Sequence, residues 1–368
     1  MRLKDIDILN FKNIPATRLE FSPGVNCLLG MNGMGKSNLL EAIHFLGMTR
    51  PMGSLPDSAL VRHGEDMMMV KGTFLTDGGE EDIISLGVVP GQAKRLKRNG
   101  KEYRRLSEHI GRYPMVSVTP NDSKIASGSA EERRKLMDMV ISQGDAVYLD
   151  ALIRYGRSRE NRNRMLRAGV KDTLLYESIE ANMAESAATI HTSRLNWIER
   201  IAKRAEEIYA RLAGSPERLT LSLKSHLNDK TLGDLLDERR AKDQVLGYTS
   251  AGPHRDDMSA FLDDYPIREI GSQGQLKTFT IALKLAVFEY LKEIKGTLPL
   301  LLLDDIFDKL DASRVENIMR EVSGEGNFGQ IFITDTNRKH LDDILRGLNG
   351  DKSLISVENG TFIPVATV

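Results

Sequence analysis

Apolar and polar positions alternate in short blocks near both ends of the chain, whereas the middle follows a period of three to four. Leu3 to Leu9 alternates loosely, and Asn26 to Leu29 is a short apolar run ending at Gly30. Asp66 to Phe74 and Glu81 to Val89 read as strands joined by Asp77-Gly78-Gly79, and Asn99-Gly100 marks a further hairpin. From Ala130 to Gly214 there is no Pro, and Thr173 to Ala213 contains neither Pro nor Gly before the stop at Gly214-Ser215-Pro216. Ile198, Ile201, Ala205, Ile208 and Leu212 step by 3, 4, 3 and 4, which predicts a helix seam. These 41 residues make a helix about 60 Å long at ~1.5 Å per residue. Glu131 to Arg167 is expected as its antiparallel partner. Strand texture returns from about Leu219. The pattern predicts a two-lobed α/β protein with mixed sheets: a head from residues 1–130 and 246–368, and an inserted helical arm, residues 131–245.

Composition narrows the class. A hydrophobic content of 40% over 368 residues allows a sizeable core. Charges balance at 51 basic against 52 acidic residues, so any nucleic-acid site has to come from local clustering. A single cysteine, Cys27, excludes a disulfide framework or a Cys-rich metal module and suits a small buried apolar role. The charged start and the shortness of the longest aliphatic run, Leu298 to Leu303, predict a cytoplasmic protein without membrane contact.

One motif carries chemistry directly. Gly30-Met31-Asn32-Gly33-Met34-Gly35-Lys36-Ser37, followed by Asn38, fits G-x-x-x-x-G-K-[ST], with an apolar strand before it and an apolar-periodic helix after it. Glycines let the backbone wrap phosphates, and N–H groups with the helix N-terminus supply positive potential. Lys36 is expected to reach the β- and γ-phosphates of ATP and Ser37 to ligate Mg²⁺. Far downstream, five leucines between Leu298 and Leu303 read as a strand buried on both faces, running into Asp304-Asp305. Asp304 is expected in the Mg²⁺ shell, and Asp305 is expected to polarise the attacking water. Leu310-Asp311 is expected to open a helix. Gln330 to Thr334 reads as another buried strand, ending in Asp335-Thr336.

Between these motifs, Ser272-Gln273-Gly274-Gln275-Leu276-Lys277 resembles the signature of ABC-type ATPases. The preceding Thr249-Ser-Ala-Gly252-Pro253-His254-Arg255-Asp256-Asp257 resembles the RecF family of bacterial recombination-repair ATPases. So do Asn10-Phe11-Lys12-Asn13-Ile14 and the set Pro120, Asp122, Gly128, Arg133, Arg134, Leu136 and Asp138. The resemblance implies an ABC-type head in which Ser272, Gly274 and the helix beginning near Gln275 meet the γ-phosphate held by a second subunit, so that ATP joins a homodimer. It implies Lys12 near the α-phosphate, although a solvated lysine after a strand is equally compatible. It implies double-stranded DNA and single/double-strand junctions as targets, and RecR, RecO and RecA as partners. The chain departs from the family at Lys277, usually Arg, and in Ile306-Phe307-Asp308-Lys309-Leu310-Asp311. No histidine stands at the γ-phosphate switch position, where Thr334, Asp335 and Thr336 are the candidates, so hydrolysis is expected to be slow.

Two basic clusters stand out against the neutral background. One includes Lys97, Arg98, Arg104 and Arg105; the other includes Arg154, Arg157, Arg159, Arg162 and Arg164. Arginines at this density suit phosphate contacts and counterion release, and the scarcity of aromatics argues against base stacking. The competing reading is a solvated basic face paired with acids on a neighbouring helix. His254 and Arg255 could touch nucleotide or DNA, or buttress the signature loop. The expected function is an ATP-dependent clamp on duplex DNA in recombinational repair, with a weak ATPase as its switch. The alternatives are another ABC-type ATPase, such as a transporter subunit, and an ATP-gated DNA-binding module with negligible hydrolysis.

Overall fold

The computed structural model describes residues 1–214, 217–306, 317–318, 320–321, 328–347 and 350–365. The chain opens with β1 (Arg2–Phe11), β2 (Ile14–Glu20), β3 (Val25–Leu29), α1 (Lys36–Met48), β4 (Met68–Leu75), β5 (Glu81–Val88), β6 (Arg95–Arg98), β7 (Lys101–Glu102) and β8 (Met115–Val118). Helices α2 (Ser123–Ser127), α3 (Ala130–Gly144), α4 (Ala146–Arg167) and α5 (Thr173–Ala213) follow. Next come β9 (Leu219–Lys224), α6 (Leu232–Leu246), β10 (Asp257–Leu262), β11 (Tyr265–Pro266), α7 (Ile267–Ile270) and α8 (Gln273–Lys295). The last elements are β12 (Leu300–Asp304), β13 (Ile331–Asp335), α9 (Arg338–Gly347), β14 (Lys352–Glu358) and β15 (Thr361–Val365). Among the described residues, no helix is long and apolar enough to cross a membrane.

Two compact units divide the chain: residues 1–122, 211–213 and 284–368 in the first, and 123–210 and 214–283 in the second. The expected head and arm boundaries at 130 and 246 thus differ from this division, which groups 246–283 with the helical lobe. The antiparallel sheet β9–β10–β11 accounts for that grouping, because it pairs Leu219–Lys224 with Asp257–Leu262. The helix expected to begin at Leu310-Asp311 and the departures from Phe307 to Asp311 lie outside the described residues.

In the first unit, a six-stranded sheet runs in the order β15-β14-β3-β13-β12-β8, and a second runs β2-β1-β4-β5-β6-β7. Strand β3 lies parallel between β14 and β13, and β12 lies parallel between β13 and β8. Every residue of β12 and β13 is buried, as leucine- and isoleucine-rich central strands require. Helix α1 packs against strands of both sheets through Leu39, Leu40, Ile43, Phe45 and Leu46. Cys27 on β3 is fully buried, and desolvation pushes its thiol up to about 12, so it serves packing.

In the second unit, α5 is one continuous helix, and the expected seam Ile198, Ile201, Ala205, Ile208 and Leu212 is buried. The segment expected as its antiparallel partner consists of two helices, α3 and α4. The chain breaks at Asp145, which caps α4 by accepting the N–H groups of Val147 and Tyr148. Three arginines inside this unit form ion pairs that cross between its elements. Arg133 forms a two-point pair with Asp257. Arg194 binds Asp138, Asp256 and the Pro253 carbonyl, while Arg162 binds Glu180, Asp243 and the Thr249 hydroxyl. Helices α3, α4 and α5 are thereby tied to the 249–257 segment. Gly252 holds φ +127°, and a side chain there would strike the Tyr155 hydroxyl.

Candidate functional site

Strand β3 ends at Leu29, and the chain turns through Gly30–Gly35 into α1. Gly35, with φ +114°, is the helix N-cap and takes a backbone conformation that favours glycine; a Cβ there would lie 2.9 Å from Asn13 Oδ1. Lys36 is buried and donates to the carbonyls of Gly30 (2.7 Å) and Met31 (3.1 Å), which folds its ammonium into the loop. Asn13 donates to the Gly33 carbonyl (3.2 Å) and accepts from Asn38 (2.7 Å). The loop is also braced by the β14–β15 turn, where the Gly360 N–H donates to the Met34 carbonyl at 2.8 Å.

The acidic strand end meets this loop. Ser37 donates to Asp304 Oδ1 at 2.8 Å, and Thr334 donates to the same oxygen at 2.8 Å. Burial raises the Asp304 carboxyl above the usual carboxylate range, opposed by the two hydroxyls and by the charge of Lys36. One hydroxyl and one carboxylate are hard oxygen donors that fit a Mg²⁺ ion retaining waters and taking phosphate oxygens. Asp305 follows with φ +46°, a left-handed conformation that turns the chain off the strand, and its N–H donates to Thr334 at 2.9 Å. The three switch candidates therefore separate. Thr334 is buried and engaged with Asp304; Asp335 is buried and accepts the Asn337 N–H; Thr336 is exposed.

Lys12 sits at φ +50° beside the loop, and its ammonium is paired with the carboxylate of Glu41 on α1. Sequence reasoning passed over Glu41. The available signal was its helical spacing from Asn38, three residues earlier, which puts both on one face of α1.

The segment resembling a signature opens α8 with a capping box. Ser272 accepts the Gln275 N–H at 3.2 Å, and Gln275 Oε1 accepts the Ser272 N–H at 2.8 Å. Ser272 and Gln273 are exposed, Gly274 and Lys277 half-buried, and Gln275 is further held by Glu217 at 2.6 Å. A rigid helix N-terminus carrying an exposed serine is an anion-binding arrangement.

The chain is similar to known proteins over nearly its whole length. The family described as the RecF/RecN/SMC N terminal domain matches residues 2–352. A protein of Porphyromonas gingivalis named "DNA replication and repair protein RecF" is 46% identical over 361 residues, covering 98% of this chain and 99% of that one. A protein of the same name from Parabacteroides distasonis is 45% identical, covering 99% and 100%. The chain belongs to the RecF family. A solved structure of the recombination mediator protein RecF-ATP in the RecFOR pathway is similar to it, with TM-score 0.88, 30% identity, and 99% and 97% of the two chains covered. An Smc head, at TM-score 0.58 and 18% identity, shares the fold. The architecture is that of an ABC-type ATPase head, as the RecF resemblance implied.

Of the basic residues expected to meet DNA, the structure corrects one. Arg162 is fully buried in ion pairs with Glu180 and Asp243, so it has no face to offer a DNA phosphate. Helical periodicity carried the signal, since Arg162 falls on the same stripe of α4 as Tyr148, Ala151, Tyr155 and Met165. Arg154, Arg157 and Arg164 are exposed on the other side, with Arg154 near Asp150 and Glu185 and Arg164 paired with Glu160. Arg159 is half-buried. In the other cluster Lys97, Arg104 and Arg105 are exposed, while Arg98 is held by Asp82 at 2.9 Å. His254 is a buttress: Tyr155 donates to its Nδ1 (2.7 Å), and its Nε2–H donates to the Thr249 carbonyl (3.0 Å). Arg255 lies over the Tyr248 ring, 5.6 Å from its centroid.

Proposed function

We propose that this RecF-family protein is an ATP-dependent DNA-binding protein of recombinational repair, in which ATP joins two copies into a clamp on duplex DNA. The observation that supports it most is the meeting of Ser37 and Thr334 at Asp304, directly after the loop into which Lys36 folds. Lys36 leaves the Gly30 and Met31 carbonyls to hold the β- and γ-phosphates. Ser37 and Asp304 supply the oxygen ligands for Mg²⁺, which neutralises phosphate charge when bound. Asp305 orients the attacking water. The capped N-terminus of α8, with Ser272, Gln273, Gly274, Gln275 and Lys277, completes the site of the other copy in trans. The exposed basic residues of α4 and of the β6–β7 region lie along DNA backbone phosphates without reading bases.

The proposed targets are gaps and single/double-strand junctions, where the clamp assists RecA loading with RecR and RecO. Slow hydrolysis then resets it. The test is molar mass by light scattering without nucleotide, with ADP, and with ATP and Mg²⁺, each with and without a short duplex. A monomer that dimerises only with ATP and retains duplex in that state supports the reading. A monomer under every condition overturns it.

A further inference from the structure

Glu41 is a buried carboxylate, and it influences Asp304 closely enough to contribute to raising that carboxyl. A buried negative charge beside a site that takes a polyphosphate opposes binding unless it holds something in place. What it holds is Lys12, whose backbone is left-handed at φ +50° and whose ammonium pairs with Glu41. The adjacent residue is fixed in the same way: Asn13 accepts from Asn38 at 2.7 Å and donates to the Gly33 carbonyl at 3.2 Å. The dipeptide Lys12-Asn13 is thus stapled to Asn38 and Glu41 on one face of α1, in the turns that follow the phosphate loop.

We infer that Glu41 is a positioning residue for nucleotide binding: its carboxylate orients the Lys12 ammonium toward the phosphate nearest the nucleoside and compensates its charge before nucleotide arrives. This rests on the nucleotide site proposed above. An ammonium on a long side chain is otherwise a mobile point charge, and fixing it in advance lowers the ordering cost of binding. The phosphate would add to the Lys12–Glu41 pair rather than replace it. A lysine positioned in this way contacts a phosphate common to ATP and ADP, so both nucleotides should depend on Glu41 to the same degree.

The experiment is a double-mutant cycle on the full chain, with ATP and ADP dissociation constants in Mg²⁺ measured by calorimetry for wild type, Glu41→Ala, Lys12→Ala and the pair. Glu41→Ala should weaken ATP and ADP equally, by about tenfold, the size of one charge-assisted hydrogen bond. The double variant should bind no worse than Lys12→Ala alone, and Glu41→Asp should recover part of the loss. Additive effects in the cycle, or unchanged affinity in Glu41→Ala, overturn the inference. Where Glu41→Ala does not fold, Glu41→Gln takes its place in the cycle, since it keeps the volume and removes the charge. Lys36→Ala separates the two levels: if that variant binds nucleotide normally, the site itself has been misplaced, whereas loss of binding in Lys36→Ala with none in Glu41→Ala refutes only the role of Glu41.

Discussion

Ser37 donates to Asp304 at 2.8 Å although the two are 267 positions apart in the chain. The first residue of α1 after Lys36 and the last residue of β12 meet because β3 and β12 are both parallel neighbours of β13. Ligands in open α/β sheets gather at the carboxyl ends of such strands. Ser37→Ala should therefore remove the Mg²⁺ dependence of nucleotide binding while leaving the fold intact, because its hydroxyl is one of two donors to Asp304 and Thr334 remains. Titrating Mg²⁺ against ATP affinity checks this. An unchanged Mg²⁺ response would take Ser37 out of the ion's shell.

Asp305 departs from the strand with a left-handed backbone, directly after Asp304 in the chain. If it polarises the attacking water, Asp305→Asn keeps ATP binding and lowers turnover by 10²-fold or more, on the order of one general-base contribution. Dimers formed with ATP should then persist on DNA. A gel-filtration time course after nucleotide removal reads their lifetime. A lifetime equal to wild type would mean that hydrolysis does not open the clamp.

The glycine-rich loop between β3 and α1, the buried strand into Asp304 and the seam of α5 were all legible in the sequence, because each depends on local spacing: glycines at fixed offsets, a continuous leucine run, steps of three and four. What escaped depends on tertiary neighbours. The division of Glu131–Arg167 into α3 and α4 is set by Asp145, whose cap is local but whose place inside a helical pattern looks like any solvated acid. The pairing of Glu41 with Lys12 joins residues 29 positions apart. Charge density alone cannot distinguish Arg162 from Arg157, because burial of an arginine is decided by Glu180 and Asp243 on other helices.

That distinction is measurable. Arg162→Ala leaves buried Asp243 without its counter-charge, while Glu180 keeps Arg240 at 2.8 Å, which should cost about 3–5 kcal/mol of stability. Urea denaturation checks it. Replacing exposed Arg157 should leave the midpoint within about 0.5 kcal/mol of wild type and lower the salt slope of duplex binding by ~0.9 per lost phosphate contact. The reverse pattern, a stable Arg162→Ala that loses DNA, would put Arg162 back on the binding surface.

Acid sensitivity follows from histidines buried in the neutral form. Desolvation lowers His254 from its usual 6.5 to about 3, and Tyr155 occupies its Nδ1 as a donor. His109 is lowered to about 4 by the same cause, with its Nε2–H on the Leu46 carbonyl at 2.8 Å and its Nδ1 facing the Tyr103 hydroxyl at 3.2 Å. Below about 6.5 the unfolded chain takes up a proton that the folded chain refuses until about 3 at His254 and about 4 at His109. Stability from these groups is therefore fully present above 6.5 and declines as pH falls through that window, by up to about 1.4 kcal/mol per pH unit for each histidine. Asp304, whose carboxyl is raised, works in the opposite direction just above the ordinary carboxylate range. His254→Gln should lose stability at pH 8, where its hydrogen bonds count, and show a shallower decline from pH 6.5 to pH 4 than wild type. Urea midpoints across that range decide the matter. An equally steep decline in the variant would assign the acid sensitivity to other groups.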